Sequence, residues 1–309
     1  MPSIKHQAQK SIAAMFSKSN GLDSALIAPS TETLIASVEA PFYLFLELLE
    51  PSGLADSTDP VDGIIITLLR RLHNTTSGAL TLIVHGRIQE AEILSRTIME
   101  SALTIQYALA QDTGQRLLKY FKLYVQTERE QTKKWKGDLP SLSSESQSDH
   151  QRRIDEKLSA LDGYDAFIEH FARTQAANSL GPKAWPSTYD ICVSLGKAVD
   201  YRTVYMAMCS QAHHDAEDIL NDFIVGSSTD YETRSTQLEY ETGNFSVFLL
   251  LCGLRYYLEC LQQIGKKYGL PTVEIQSSRS LATISLLAGK VSSNGFISNE
   301  FDKFVWKRI

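Results

Sequence analysis

The chain has 309 residues, of which 43% are hydrophobic, a length and composition that allow one large core or two smaller ones. Its formal net charge is -6 at pH 7, and its isoelectric point is about 5.7. Because nucleic acids and anionic membranes attract cationic surfaces, this balance argues against a general affinity for either of them.

Four cysteines lie in apolar, helical sequence contexts without a Cys-x-x-Cys pair, and they are Cys192, Cys209, Cys252 and Cys260. A thiol in such a context packs as a small hydrophobic group, so we predict reduced, structural cysteines. The N-terminus lacks the continuous apolar segment of a signal peptide, and the longest apolar runs are shorter than the ~20 residues that a membrane span needs. We therefore expect a soluble, cytoplasmic protein without a membrane span.

Apolar residues recur at helical spacing along nearly the whole chain, and no convincing series of alternating strands is found. The sequence predicts an all-α fold, a helical bundle with long central helices and no significant sheet. We expect an N-terminal helical segment over residues 1–55, a main bundle over 56–268, and a C-terminal tail over 269–309 that packs on the bundle. The tail contains an aromatic cluster suited to such docking, formed by Phe301, Phe304 and Trp306.

The clearest helix start lies at Asp59-Pro60, where Asp59 can cap exposed amide groups and Pro60 suits the first helical position. Gly86 breaks or bends this helix. A second helix, over about residues 87–110, is apolar on two sides, which is typical of a central position in a bundle. Arg96 and Glu100 fall within the second apolar side.

Two charges on an apolar side need an explanation, because an unpaired buried ion costs several kcal/mol. The pair formed by Arg96 and Glu100, one turn apart in this order, contributes only a few tenths of a kcal/mol. Three arrangements are open. Another helix satisfies both charges, or the pair lines a polar cavity that binds something, or the position is partly exposed.

The second half of the chain gives a loop and then further helices. Residues 137–150 are rich in serine and acids with almost no apolar periodicity, and they predict a surface loop. Beyond a charged helix, a continuous helix is predicted over about residues 200–225, with Asp200 as its cap. A last long helix is expected over about 232–267, and a short one over 280–289.

Recognisable catalytic motifs are absent, including the phosphate loop, the GxSxG elbow, the HExxH zinc helix and the dinucleotide GxGxxG. We predict no cofactor, and the sequence leaves open whether the protein is an enzyme. The stretch AHHDAED places His213 and Glu217 one turn apart, a spacing adequate for two metal ligands. Since such spacing is common on acidic helices, we favour a solvated acidic face without a metal, and these two residues stay as weak candidates.

Three stretches occur in a characteristic order, namely GRIQEAEILSRTIMES, RLLKYFKLYVQTEREQTKKW and WPSTYDICVSLGKAVDYRTVYMAMCSQAHHD. Over roughly residues 60–225 the chain resembles the bacterial helical proteins of the domain-of-unknown-function family DUF5677. The family's marked positions fall here on Gly86, Glu90, Ala91, Arg96, Glu100, Ser210 and His214. The resemblance implies that Arg96, Glu100, Ser210 and His214 face one another across two helices, and the family's label supplies no reaction.

Two functions follow from such a cluster. The first is a binding or regulatory module, in which the cluster fixes packing or holds a small ligand or a partner segment. The alternative is an RNA-cleaving nuclease of the helical toxin or defence type, in which His214 transfers a proton and Arg96 stabilises phosphate charge. Such nucleases typically carry an arginine shortly before a histidine on one helix, and this spacing is absent, so we favour the binding module. A homodimer is compatible with either function.

Overall fold

A computed structural model describes residues 4–50, 59–174, 184–211, 216–227 and 231–293. Throughout these ranges the secondary structure is helical, and they contain no strand. The predicted all-α class is therefore confirmed.

The α-helices of the described residues follow one another in the order α1 (Ile4–Asn20), α2 (Pro29–Leu49), α3 (Pro60–Val84), α4 (Ile88–Ala110), α5 (Thr113–Asp138), α6 (Ser144–Thr174), α7 (Thr188–Ser194), α8 (Ala198–Asp200), α9 (Met206–Gln211), α10 (Ala216–Gly226), α11 (Tyr231–Lys267) and α12 (Pro271–Ser293). Two 3-10 turns, Ser24–Leu26 and Leu139–Ser141, and a π-helical turn, Tyr201–Tyr205, complete the set.

The chain divides into two compact units, one formed by Met1–Gln106 with Ile191–Ile309 and the other by Tyr107–Asp190. The boundaries expected near residues 56 and 269 do not coincide with these units. In the first unit, α2 and α12 pack on each other and both pack on α11, so helices from the N-terminal and C-terminal parts of the described chain share one core. Apolar periodicity could not reveal this, because it identifies a buried face without naming the partner.

Helices α3 and α4 begin as the sequence predicts. The Asp59 side chain accepts a hydrogen bond from the Val61 amide at 2.9 Å, and Pro60 occupies the first helical position. Gly86 then adopts a positive φ of 70°, a conformation that glycine reaches without steric cost, and α4 follows directly.

Helix α11 lies at the centre of the first unit, where Tyr256 and Tyr257 are almost completely buried. A Cβ atom at Gly253 would lie 3.1 Å from the Ser95 carbonyl oxygen, so this glycine allows close contact between α11 and α4. Among the described helices, α11 alone is long and apolar enough to cross a membrane, and 78% of its apolar window is buried inside the protein.

The second unit contains the helical pair α5 and α6, and it corrects the predicted loop over residues 137–150. Helix α5 continues to Asp138, a short 3-10 turn follows, and α6 begins at Ser144. The Ser143 hydroxyl accepts a hydrogen bond from the Ser146 amide at 3.4 Å, as expected at a helix start. The stretch lacks apolar periodicity because it is largely exposed, and serine with Glu145 suits a first helical turn.

The predicted continuous helix over residues 200–225 is interrupted by the π-helical turn Tyr201–Tyr205, between α8 and α9. A π-helical turn inserts a residue into the helical repeat, which changes the faces of the residues that follow. Asp200 lies inside the helical segment rather than capping it. Helix α12 also differs from the prediction, since it starts at Pro271 in the first position and includes the expected segment 280–289.

Candidate functional site

Arg96 and Glu100 form an ion pair on the surface of α4. The Arg96 Nε donates to Glu100 Oε1 at 3.0 Å. Their side chains are 28% and 39% exposed, so the full burial suggested by their apolar neighbours is wrong. The second apolar side of α4 is buried only in part, because Leu103 is 1% exposed whereas Ile93 is 46% exposed.

Tyr205, in the π-helical turn, connects this pair to a second helical segment. Its hydroxyl donates to Glu100 Oε1 at 2.6 Å, and its ring centroid lies 5.7 Å from the guanidinium carbon of Arg96. Tyr205 is itself buried, with 7% exposure. The ring of Tyr201 stacks on the ring of Tyr205, with 5.0 Å between the two ring centroids. One carboxylate oxygen of Glu100 therefore accepts hydrogen bonds from both helical segments. We name Arg96, Glu100 and Tyr205 the α4 polar site.

The local backbone explains this position of Tyr205. The Met206 amide donates to the Tyr201 carbonyl, five residues earlier, which closes the π-helical turn. Such turns occur often at functional sites, because they move a side chain out of the regular helical repeat. Here the turn contains both members of the tyrosine stack.

Electrostatics in the α4 polar site favour a charged arginine. The hydrogen bond to Glu100 raises the pKa of Arg96 above its usual value, partial burial opposes this effect, and the Glu100 charge strengthens it. Cys209, in α9, and Tyr205 contribute to the pKa of Arg96 in the same direction. The guanidinium thus remains charged at any physiological pH.

The predicted cluster is described only in part. Arg96 and Glu100 both contact Tyr205, in the segment that leads to Ser210. The side chain of Ser210 and the whole of His214 lie outside the described residues. Joining all four residues in one cluster therefore stays a prediction.

The two weak metal candidates are similarly placed, because His213 and the side chain of Glu217 lie outside the described residues. Within the part of the chain that the structure describes, no group of three or more histidine, cysteine or acidic side chains could hold a metal ion.

Sequence reasoning missed Tyr205, and it also missed a polar network that attaches α8 to α11. Asp200 Oδ2 accepts a hydrogen bond from the Tyr256 hydroxyl at 2.7 Å. Lys197 pairs with Glu259, and its Nζ lies 4.2 Å from the centroid of the Tyr256 ring. Arg255 donates to Glu259 at 2.8 Å. We name these five residues the α8–α11 latch, and they hold the helical turn that comes directly before Tyr201.

A second missed network lies in the core between α2, α3 and α11. His73 Nδ1 is 2.9 Å from the Tyr257 hydroxyl, and His73 Nε2 is 3.4 Å from Glu39 Oε2. Ser77 donates to Glu39 Oε1 at 3.2 Å, and the ring of Phe42 stacks on His73. Glu39 is completely buried. Because its partners come from other helices, no single periodic pattern could reveal the network.

A model of the family described as a family of unknown function (DUF5677) matches residues 62–231, more than half of the chain. The chain belongs to this family. No curated protein and no solved structure matches it. The matched region contains the α4 polar site as well as Ser210 and His214, whereas α1, α2 and α12 lie outside it.

Proposed function

We propose that this DUF5677 protein is a cytoplasmic binding module whose α4 polar site takes an anionic group of a small ligand or a partner segment. The observation that carries the proposal is the partly exposed Arg96 side chain, whose guanidinium donates to Glu100 beside the buried Tyr205. Ser210 and His214 are proposed to complete the site from the second helix.

The energetics favour a binding role over a packing role. A partly exposed ion pair one turn apart contributes about 0.3–0.5 kcal/mol to the free energy of unfolding. This is too little to explain, as a packing device, a pair that a buried tyrosine and a π-helical turn hold in place. The same arrangement restricts the guanidinium plane before any ligand arrives. Because arginine presents five N–H donors in a rigid fork, it suits carboxylate and phosphate oxygens.

The test compares wild-type protein with Arg96→Gln, using isothermal titration calorimetry with three probes, inorganic phosphate, AMP and a ten-nucleotide single-stranded RNA. Arg87→Gln is the matched control, since Arg87 forms an exposed ion pair with Glu90 near the start of the same helix. We expect at least one probe to bind, and we expect Arg96→Gln to weaken binding about tenfold or more, as for loss of a charge-assisted hydrogen bond. The control should bind as wild type does.

Three results would contradict the proposal. The first is equal binding by wild type and Arg96→Gln, and the second is no binding of any probe. The third is cleavage of the RNA by wild type that is lost in His214→Ala, which would establish the nuclease alternative instead.

A further inference from the structure

Helix α10 presents an apolar face to solvent. Its large apolar side chains are strongly exposed, with values of 63% for Ile219, 55% for Leu220, 70% for Phe223 and 49% for Ile224. At a rotation of about 100° per residue, these four positions form one continuous stripe along the helix. Isolated exposed apolar residues are ordinary, whereas a stripe on one helix marks an interaction surface.

The sequence around this stripe is acidic. Helix α10 contains Glu217, Asp218 and Asp222 and has no basic residue, and α11 begins with Tyr231-Glu232. Tyr231 is also exposed, at 54%. A second copy of the chain would bring like charges together, which is unfavourable. A segment that combines aromatic and basic residues would be complementary in both hydrophobicity and charge.

Such a segment follows α12 in this chain. Residues 294–309, outside the described part, read NGFISNEFDKFVWKRI. They contain four aromatic residues, Phe296, Phe301, Phe304 and Trp306, and three basic ones, Lys303, Lys307 and Arg308, against two acidic ones, Glu300 and Asp302.

The segment is long enough to reach α10. Its 16 residues extend over as much as ~50 Å, whereas a compact unit of about 200 residues has a radius of gyration of ~17 Å. Both α12, from which the segment continues, and α10 pack on α11 within the same unit.

We propose that residues 294–309 dock on the exposed apolar face of α10, with the aromatic side chains against Ile219, Leu220, Phe223 and Ile224. The basic residues of the segment then face the acidic sequence of α10. Helix α10 begins two residues after His214, so docking also restrains the part of the chain that carries the second family motif. This docking does not depend on ligand binding at the α4 polar site.

Hydrogen–deuterium exchange of the full-length chain, read by mass spectrometry, tests the proposal. We expect amides in residues 298–309 to exchange at least tenfold more slowly in wild type than in Phe223→Asp. Leu286→Asp is the matched control, because Leu286 is 63% exposed on α12, and it should leave exchange in the tail unchanged. Reversing the three basic charges, K303E/K307E/R308E, should also speed exchange in the tail.

Three results would overturn the proposal. The tail could exchange at the rate of an unstructured peptide in wild type, or it could be protected equally in wild type and Phe223→Asp, which would place it elsewhere. Light scattering could instead show a dimer that dissociates in Phe223→Asp while the tail exchanges freely, which would assign the face to a second copy. Circular dichroism of Phe223→Asp separates loss of docking from loss of folding.

Discussion

The three residues of the α4 polar site differ in burial, because Tyr205 is buried whereas Arg96 and Glu100 are partly exposed. Arg96 and Glu100 could be singled out from the sequence, since charges on an apolar helical side are unusual. Tyr205 could not, because its approach to Glu100 depends on a π-helical turn that ordinary helical periodicity does not predict. The burial of the pair was predicted wrongly for a similar reason, since the extent of an apolar side does not show where neighbouring helices end.

Removing the Tyr205 hydroxyl while keeping its ring should lower the stability of the folded protein modestly. Tyr205→Phe loses one hydrogen bond to a carboxylate, so we expect the free energy of unfolding to fall by about 1–3 kcal/mol in urea denaturation. Tyr231→Phe, at an exposed position on α11, should change it by less than about 0.5 kcal/mol. Equal effects of the two substitutions would show that Tyr205 is not a structural support of the site.

Cys252 makes the free energy of unfolding depend on pH in the alkaline range. Burial raises the pKa of the Cys252 thiol to about 12 from a usual value of 9.0. The folded state therefore holds this proton more tightly than the unfolded state does, and the stabilisation is complete below about pH 9 and is lost as the pH rises towards 12. We expect Cys252→Ser to flatten the decline in unfolding free energy between pH 9 and pH 11, relative to wild type. An unchanged slope would contradict this.

At the scale of helices, the starts of α3 at Asp59-Pro60 and of α4 after Gly86 could be predicted from caps and breakers. Prediction failed where the composition of a segment is typical of a loop but the segment is helical. The serine-rich stretch before α6 suggested a loop because an exposed helical start has no apolar pattern. The α8–α11 latch could not be predicted for another reason. It joins residues about sixty positions apart, and a local sequence pattern does not show such contacts.

The close contact of α11 with α4 makes Gly253 sensitive to substitution. Gly253→Ala would place a Cβ atom 3.1 Å from the Ser95 carbonyl oxygen, so we expect a loss of about 1–3 kcal/mol in unfolding free energy. Gly63→Ala in α3 has open space around the new atom and should instead stabilise by up to about 1 kcal/mol. Thermal and urea unfolding of both variants check this contrast, and two changes of the same sign would contradict it.

The α8–α11 latch should restrict local opening of the π-helical turn. We expect Tyr256→Phe, which removes the hydrogen bond to Asp200, to raise hydrogen exchange in residues 198–209 several-fold. Tyr268→Phe loses a comparable hydrogen bond to Asp62 at 2.9 Å and is the matched control. Faster exchange at 198–209 in both variants would indicate general destabilisation rather than release of the latch.

At the scale of the molecule, the region that matches the family model has different boundaries from the two compact units. The family match covers residues 62–231, whereas the first unit joins part of that region to helices from both ends of the chain. The all-α class could be predicted, because helical periodicity is strong almost everywhere. The shared core of α2, α11 and α12 could not, because a single sequence does not show which apolar faces meet.

The central claim is that Arg96, Glu100 and Tyr205 form one ligand site with Ser210 and His214. A crystal structure of protein purified without chelator tests it most directly, through the density between Arg96 and His214. We predict that both side chains lie within hydrogen-bonding reach, about 3 Å, of one bound anionic group or of each other. A separation of more than about 12 Å, too far for two such hydrogen bonds to one small ligand, would contradict the claim.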